Sequence, residues 1–142
     1  MTIGAAVALV LLAAGTLAVP ASAAERIEVT ARVQHTNVIE FPPKGRAGDA
    51  ESSHWFVRDR YARPIGEMVI DCRWVVADLR LCVGQLSLPM GAIAVIGASR
   101  TRFLGQLAVV GGTGRYVGAD GTLLFKATGT GRYVISISYE RD

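Results

Sequence analysis

The sequence predicts an all-β domain, most simply an eight-stranded antiparallel barrel, and three observations carry that prediction. Beyond the first two dozen residues, apolar side chains recur every second position in short runs. No stretch of that part repeats apolar residues at helical spacing over three turns. Gly- and Pro-containing connections separate the runs, so each is a strand bounded by turns.

The leader is set aside first. Residues 5–18 are almost entirely Ala, Val and Leu, Pro20 breaks the run, and Ala21-Ser22-Ala23 follows. A short apolar core closed by a small-x-small triplet is what signal peptidase reads, so residues 1–23 are expected to be a cleaved signal peptide. No Lys or Arg precedes the core. The alternative is an uncleaved anchor, but the run is shorter than the ~20 residues of a spanning helix. A secreted or extracytoplasmic protein with no stable membrane anchor after cleavage is therefore expected. Residues 24–142 are long enough for one domain with one core.

Eight strands are expected in order. In residues 26–35, Ile27, Val29, Ala31 and Val33 alternate with Arg26, Glu28, Thr30 and Arg32. A polar loop over residues 36–52 follows, with Pro42-Pro43-Lys44-Gly45 at its centre and enough length for a flap. The second strand is 53–61, turned by Arg63-Pro64-Ile65-Gly66. The third, 67–75, sets Met68, Ile70, Cys72 and Trp74 on one face, and the fourth, 80–88, sets Cys82, Gly84, Leu86 and Leu88 on one face. Shorter runs at 92–96, 102–110 and 121–128 lead to 132–140, where Tyr133, Ile135, Ile137 and Tyr139 share a face. Eight strands with no helix to cover a sheet imply closure, since an open sheet leaves an apolar face and two edges unprotected. Such a barrel either fills with side chains or admits one small ligand. A two-sheet sandwich is the alternative.

Antiparallel pairing of the third and fourth strands about Ala77 brings Cys72 opposite Cys82 on a shared face, close enough for a disulfide. An even cysteine count at short separation in an exported chain supports that bond, which would pin the hairpin register. Two sulfurs with isolated His35 and His54 make no familiar zinc set, so no metal is expected. Thirteen of the fifteen basic residues are Arg, scattered from Arg26 to Arg141 without a basic stripe, which argues against nucleic-acid binding. The glycine run Gly112-x-Gly114-x-x-x-Gly118 lacks dinucleotide-loop spacing, and only 24 residues follow it, too few for a βαβ unit.

That glycine run does carry a resemblance. Leu107-Ala108-Val109-Val110 leads into Gly111-Gly112-Thr113-Gly114-Arg115-Tyr116, then Val117-Gly118-Ala119-Asp120 and a strand from Gly121. The order resembles the stretch shared by plant dirigent proteins and allene oxide cyclases. Phe56-Val57-Arg58-Asp59-Arg60-Tyr61 and Ile65-Gly66-Glu67-Met68-Val69-Ile70-Asp71-Cys72 are similar to the second and third strands of that family, collinear over residues 53–140. The resemblance implies an eight-stranded barrel around an apolar cavity, often a homo-oligomer (trimeric in plant members), that steers cyclisation or coupling of a small hydrophobic molecule without a cofactor. The family's polar positions differ: Asp120 stands where dirigent proteins commonly carry Arg, and Arg58 where the cyclases carry Asn. The cyclases also place a Glu in the first strand, where this chain offers Thr30, Ala31, Arg32 and Val33.

Two arguments orient the second strand oppositely. Periodicity groups Asp59 with Trp55, Val57 and Tyr61, so Asp59 would be an acid or base if that face lines the cavity, and a rim ion pair with Arg58, Arg60 or Arg63 otherwise. The resemblance turns His54, Phe56, Arg58 and Arg60 inward instead. Candidate catalytic residues are thus Asp59 and Arg58, and candidate ligand contacts are Phe56, Cys72, Trp74 and Tyr116. Trp74 and Cys72 could equally be core, and Tyr116 a plug of the barrel end. No nucleophile motif accompanies His35 or His54, and no glycosidase-like carboxylate pair is evident. The expected function is binding of a small hydrophobic molecule with possible direction of its cyclisation or coupling. The alternatives are a non-catalytic carrier, and a structural or interaction protein with a filled barrel.

Overall fold

A computed structural model describes residues 23–40 and 47–141. Eight strands follow one another: β1 (Glu25–Ile39), β2 (Ala50–Arg58), β3 (Pro64–Val76), β4 (Leu79–Leu88), β5 (Gly91–Ser99), β6 (Leu104–Gly112), β7 (Ala119–Gly129) and β8 (Arg132–Arg141). One 3-10 turn, Gly114–Tyr116, precedes β7. Each strand pairs antiparallel with the next, and β8 closes onto β1 from Glu25↔Tyr139 to Arg32↔Arg132, which makes a closed barrel and not a sandwich. Closure leaves no sheet edge without a partner.

The pleat sends alternate side chains inside. Trp55, Met68, Leu86 and Ile93 form one interior row across β2–β5, and Ser53, Ile70, Gly84 and Val95 the next. Leu107, Leu123, Ile135 and Ile137 fill the other side and are buried. On β2 the Trp55–Val57 face points inward, while Phe56 and Arg58 are exposed on the outside. The two apolar side chains at Trp55 and Val57 outweigh the single Phe56 on the opposite face, whose Arg58 would have to be buried with it.

Cys72 and Cys82 are cross-strand partners and form a disulfide, both buried in the interior. Its closed loop is short, so the bond contributes at most about 2–3 kcal/mol. Cys72→Ser/Cys82→Ser is expected to lose that amount in chemical denaturation, with the barrel still formed by circular dichroism.

One barrel end is sealed. Tyr116 is buried at the 3-10 turn and packs edge-on against Tyr139, 5.8 Å between ring centroids. Gly114 has φ +58°, and a Cβ there would overlap the Met90 carbonyl oxygen, so the motif's glycine lets this turn lie on the β4–β5 turn. Above the plug, the Glu25 carboxylate accepts hydrogen bonds from the Tyr139 hydroxyl at 2.9 Å, from Arg115 at 3.1 Å, and from Arg141. Those donors, Tyr139 foremost, hold the Glu25 carboxyl below its ordinary range. A depressed folded value means the contribution is present above the ordinary carboxylate range and is lost as pH falls through the folded value. Glu25→Gln is therefore expected to flatten the acid limb of the stability–pH curve below about pH 4.5, read by thermal melts in a pH series.

The strands run longer than their sequence pattern. β1 continues to Ile39 and β2 starts at Ala50, so much of the expected 36–52 loop is strand, and its centre, residues 41–46, lies outside the described residues. A bulge between Val33 and His35 shifts register and lets Thr36, paired with Ser53, face inward. Outside, Val69, Leu81, Val83, Ile96 and Val110 stand exposed across β3–β6. Residues 1–22, most of the expected leader, lie outside the described residues. Among the described residues, no helix is long and apolar enough to cross a membrane.

Candidate functional site

The barrel end opposite the Tyr116 plug holds a cavity of about 630 Å³. It lies inside the ends of β1–β4 and β7–β8, under the Gly129–Gly131 turn. Beside the cavity, glycines on β4, β5 and β6 (Gly84, Gly97 and Gly105) let Val95, Leu107 and Phe125 pack close against the backbone. A Cβ at Gly105 would overlap the tip of the Phe125 ring, so glycine lets that ring lie against the β6 wall. The volume falls within the range of small-molecule sites.

Aromatic rings form the floor and wall. The Trp55 indole stacks on the Tyr133 ring at 4.5 Å and 10° between planes, and Phe125 meets both edge-on, at 6.3 Å from Trp55 and 6.2 Å from Tyr133. Across β1, Ala31 is the register partner of Tyr133 on β8 and Val33 that of Trp55 on β2, so the two rings meet diagonally over this strand. Phe103 stands exposed at the mouth.

Three charged side chains line this cavity among the described residues: Glu51, Arg80 and Arg102. The Glu51 carboxylate lies 3.6 Å from Arg80 and 3.4 Å from Arg102. Arg80 is 6% exposed and donates to the Thr101 carbonyl at 3.1 Å, while Ser99 Oγ donates to the same oxygen at 2.6 Å. Burial lowers the Arg80 pKa, Glu51 opposes that in part, and Arg102 adds to it. Burial likewise raises Tyr133 above the usual phenol value, which keeps its hydroxyl protonated at neutral pH. Glu51 Oε2, Trp55 Nε1 and Arg80 Nε are buried without a hydrogen-bond partner. Such atoms are costly to leave unpaired, and their gathering in a cavity wall suits a bound polar group. Chemically, Glu51 can accept a proton, and the guanidinium pair can stabilise negative charge developing on a bound oxygen.

Of the residues singled out from sequence, Cys72 lines this cavity, as half of the disulfide. Trp74 borders a smaller adjoining recess beneath the Arg80 guanidinium, 5.7 Å from the ring centroid. Tyr116 plugs the far end. Phe56 and Arg58 are on the outer wall. Asp59 sits in the β2–β3 turn, also at the far end, paired with Arg63 at 2.6 Å and accepting from the Tyr61 and Arg63 amides. Burial alone would raise its carboxyl, but the hydrogen bonds from Arg63 and Tyr61 outweigh that and lower it. Glu51, Trp55, Arg80, Arg102 and Tyr133 were not among the candidates. The inward parity of Cys82, carried one step back along β4, reaches Arg80, and that of Trp55, carried back two steps along β2, reaches Glu51. Among the described residues no group of three or more His, Cys, Asp or Glu is placed to hold a metal ion.

No family model matches the sequence, and no curated protein matches it. Solved structures do. A pyocyanin demethylase superposes with TM-score 0.76 at 16% identity, covering 82% of this chain and 100% of that one. The Diels–Alderase AbmU from Streptomyces koyangensis gives 0.69 at 18%, covering 82% and 64%. The pterocarpan synthase dirigent protein PsPTS1 gives 0.63 at 12%, covering 82% and 92%. Identities this low establish architecture, and the architecture is the one the glycine motif implied: this chain has the eight-stranded barrel fold of dirigent proteins and Diels–Alderases.

Proposed function

We propose that this protein holds a small, flat, hydrophobic molecule in the cavity at the open barrel end and steers its cyclisation or coupling. The observation that carries this reading is the Trp55–Tyr133 stack beside Glu51 and Arg80 in one 630 Å³ space. Orientation against a rigid aromatic wall restricts the guest to few conformers, which is the larger part of catalysis for an intramolecular ring closure. Glu51 assists by taking a proton, and Arg80 with Arg102 stabilises the oxygen that gains charge. Asp59 and Arg58 lie too far down the barrel to share in this, and the polar role passes to Glu51 and Arg80. The solved barrels named for cycloaddition and for directing pterocarpan synthesis support the reaction class. The buried Cys72–Cys82 disulfide and the leader pattern support work outside the cytoplasm.

Native mass spectrometry of the protein from cells that make it tests the reading. One bound compound per barrel is expected, and Ala127→Trp, which fills the cavity from an inward position on β7, should release it. Calorimetric titration with 2-naphthamide, a flat neutral probe, should show one saturable site that the same variant removes. A folded barrel that carries no compound and takes up no probe overturns the proposal. A compound bound unchanged, by wild type and Glu51→Gln alike, makes the protein a carrier.

A further inference from the structure

The charges in the cavity narrow the class of guest, on the reading that the cavity is the ligand site. Its described lining holds two guanidiniums and one carboxylate. Glu51 is shared between Arg80 and Arg102 at 3.6 and 3.4 Å, and neither contact is a hydrogen bond. The neighbouring Arg100 and Asp78 are paired with each other at 2.5 Å, so they leave this balance unchanged. One positive charge is thus in excess among these three side chains, beside walls of Trp55, Phe125 and Tyr133; Arg80 is buried, where water screens it poorly, while Arg102 is 55% exposed at the mouth. Arg80 Nε and Trp55 Nε1 add two buried donors that have no acceptor.

We infer that the guest carries a single anionic oxygen group, a carboxylate, phenolate or enolate, seated at Arg80 and Arg102 with its flat apolar part against the Trp55–Tyr133 stack. A guanidinium offers several donors in one plane, so it can hold Glu51 with one edge and the guest's oxygen with another. The anion completes the charge balance that Glu51 alone leaves short. It also places the polar end of the guest beside Glu51, where like charges repel, so a group that gives up its proton to solvent before entry binds best when Glu51 is neutralised. A guest bearing a cationic group is disfavoured by the same surplus.

Two probes of matched shape read this out: 2-naphthoate, an anion at neutral pH, and neutral 2-naphthamide, both by isothermal titration calorimetry with the full barrel. Naphthoate is expected to bind about ten- to a hundredfold more tightly, the span of a charge-assisted hydrogen bond, with the preference shrinking as salt rises. Glu51→Gln should raise naphthoate affinity several-fold and leave naphthamide nearly unchanged. Arg102→Gln, which removes the surplus charge and leaves Arg80 paired with Glu51, should abolish most of the preference, and Arg80→Met/Glu51→Gln, which keeps the surplus on Arg102 without leaving an unpaired buried charge, should retain part of it. Equal affinities for the two probes, or a Glu51→Gln variant that weakens naphthoate, overturn the anion assignment while leaving the cavity a ligand site. Failure of both probes to bind a folded barrel removes the proposed function and this inference together.

Discussion

Replacing Trp55 by alanine is expected to cost the barrel about 3–5 kcal/mol and to abolish binding of 2-naphthamide. Trp55 is 5% exposed, so nearly all of its large apolar surface is lost from the interior on truncation. Its neighbours cannot close the gap. Tyr133 and Phe125 are held by strands β8 and β7, and the existing cavity already borders the ring. The stacked pair also contributes its own attraction, about 0.5–1.5 kcal/mol beyond area. Trp55→Phe separates the two roles. It keeps most of the buried surface and an aromatic face, so it should lose much less stability in urea denaturation and retain probe binding at reduced affinity. A Trp55→Ala variant as stable as the parent would mean that the ring is not packed as described.

The barrel was legible because period-two alternation survives wherever an interior must be filled. On β8, Tyr133, Ile135, Ile137 and Tyr139 are all buried, as the pattern required. The β3–β4 register followed from two cysteines equidistant from Ala77, and it holds from Glu67↔Ser87 to Trp74↔Arg80. The site was less legible for three physical reasons. First, it lies at strand ends, where pairing with a neighbour makes strand out of residues with little strand propensity. Asp49-Ala50-Glu51-Ser52 looks like loop, yet residues 50–52 pair with Arg73, Cys72 and Asp71 of β3. Second, the bulge after Val33 breaks the alternation, and no Gly or Pro announces it. Third, charged residues at inward positions resemble the end of a strand. Glu51 and Arg80 face inward because each has the other, a pairing between β2 and β4 that no single strand's pattern contains.

That mutual dependence sets the second large effect. Arg80→Met should destabilise the barrel by about 3 kcal/mol, near the lower end of the 3–5 kcal/mol typical when one partner of a buried pair is removed. Glu51 would remain with its side chain only 12% exposed, facing Arg102, which is 55% exposed and so better screened by water. The Thr101 carbonyl would also lose its Arg80 donor while keeping Ser99 Oγ. Methionine retains most of the aliphatic stem, so packing loss alone is a small part of the effect. Adding Glu51→Gln should recover most of the lost stability, because the stranded charge is gone and a neutral amide is easier to bury. A double-mutant cycle in urea therefore has a strongly non-additive outcome: the pair of substitutions costs less than Arg80→Met alone. Additive losses would show that Glu51 does not depend on Arg80. The charge pair would then be ordinary surface chemistry at the barrel rim, and the polar groups assigned to steering the guest would have to be sought elsewhere in the cavity wall.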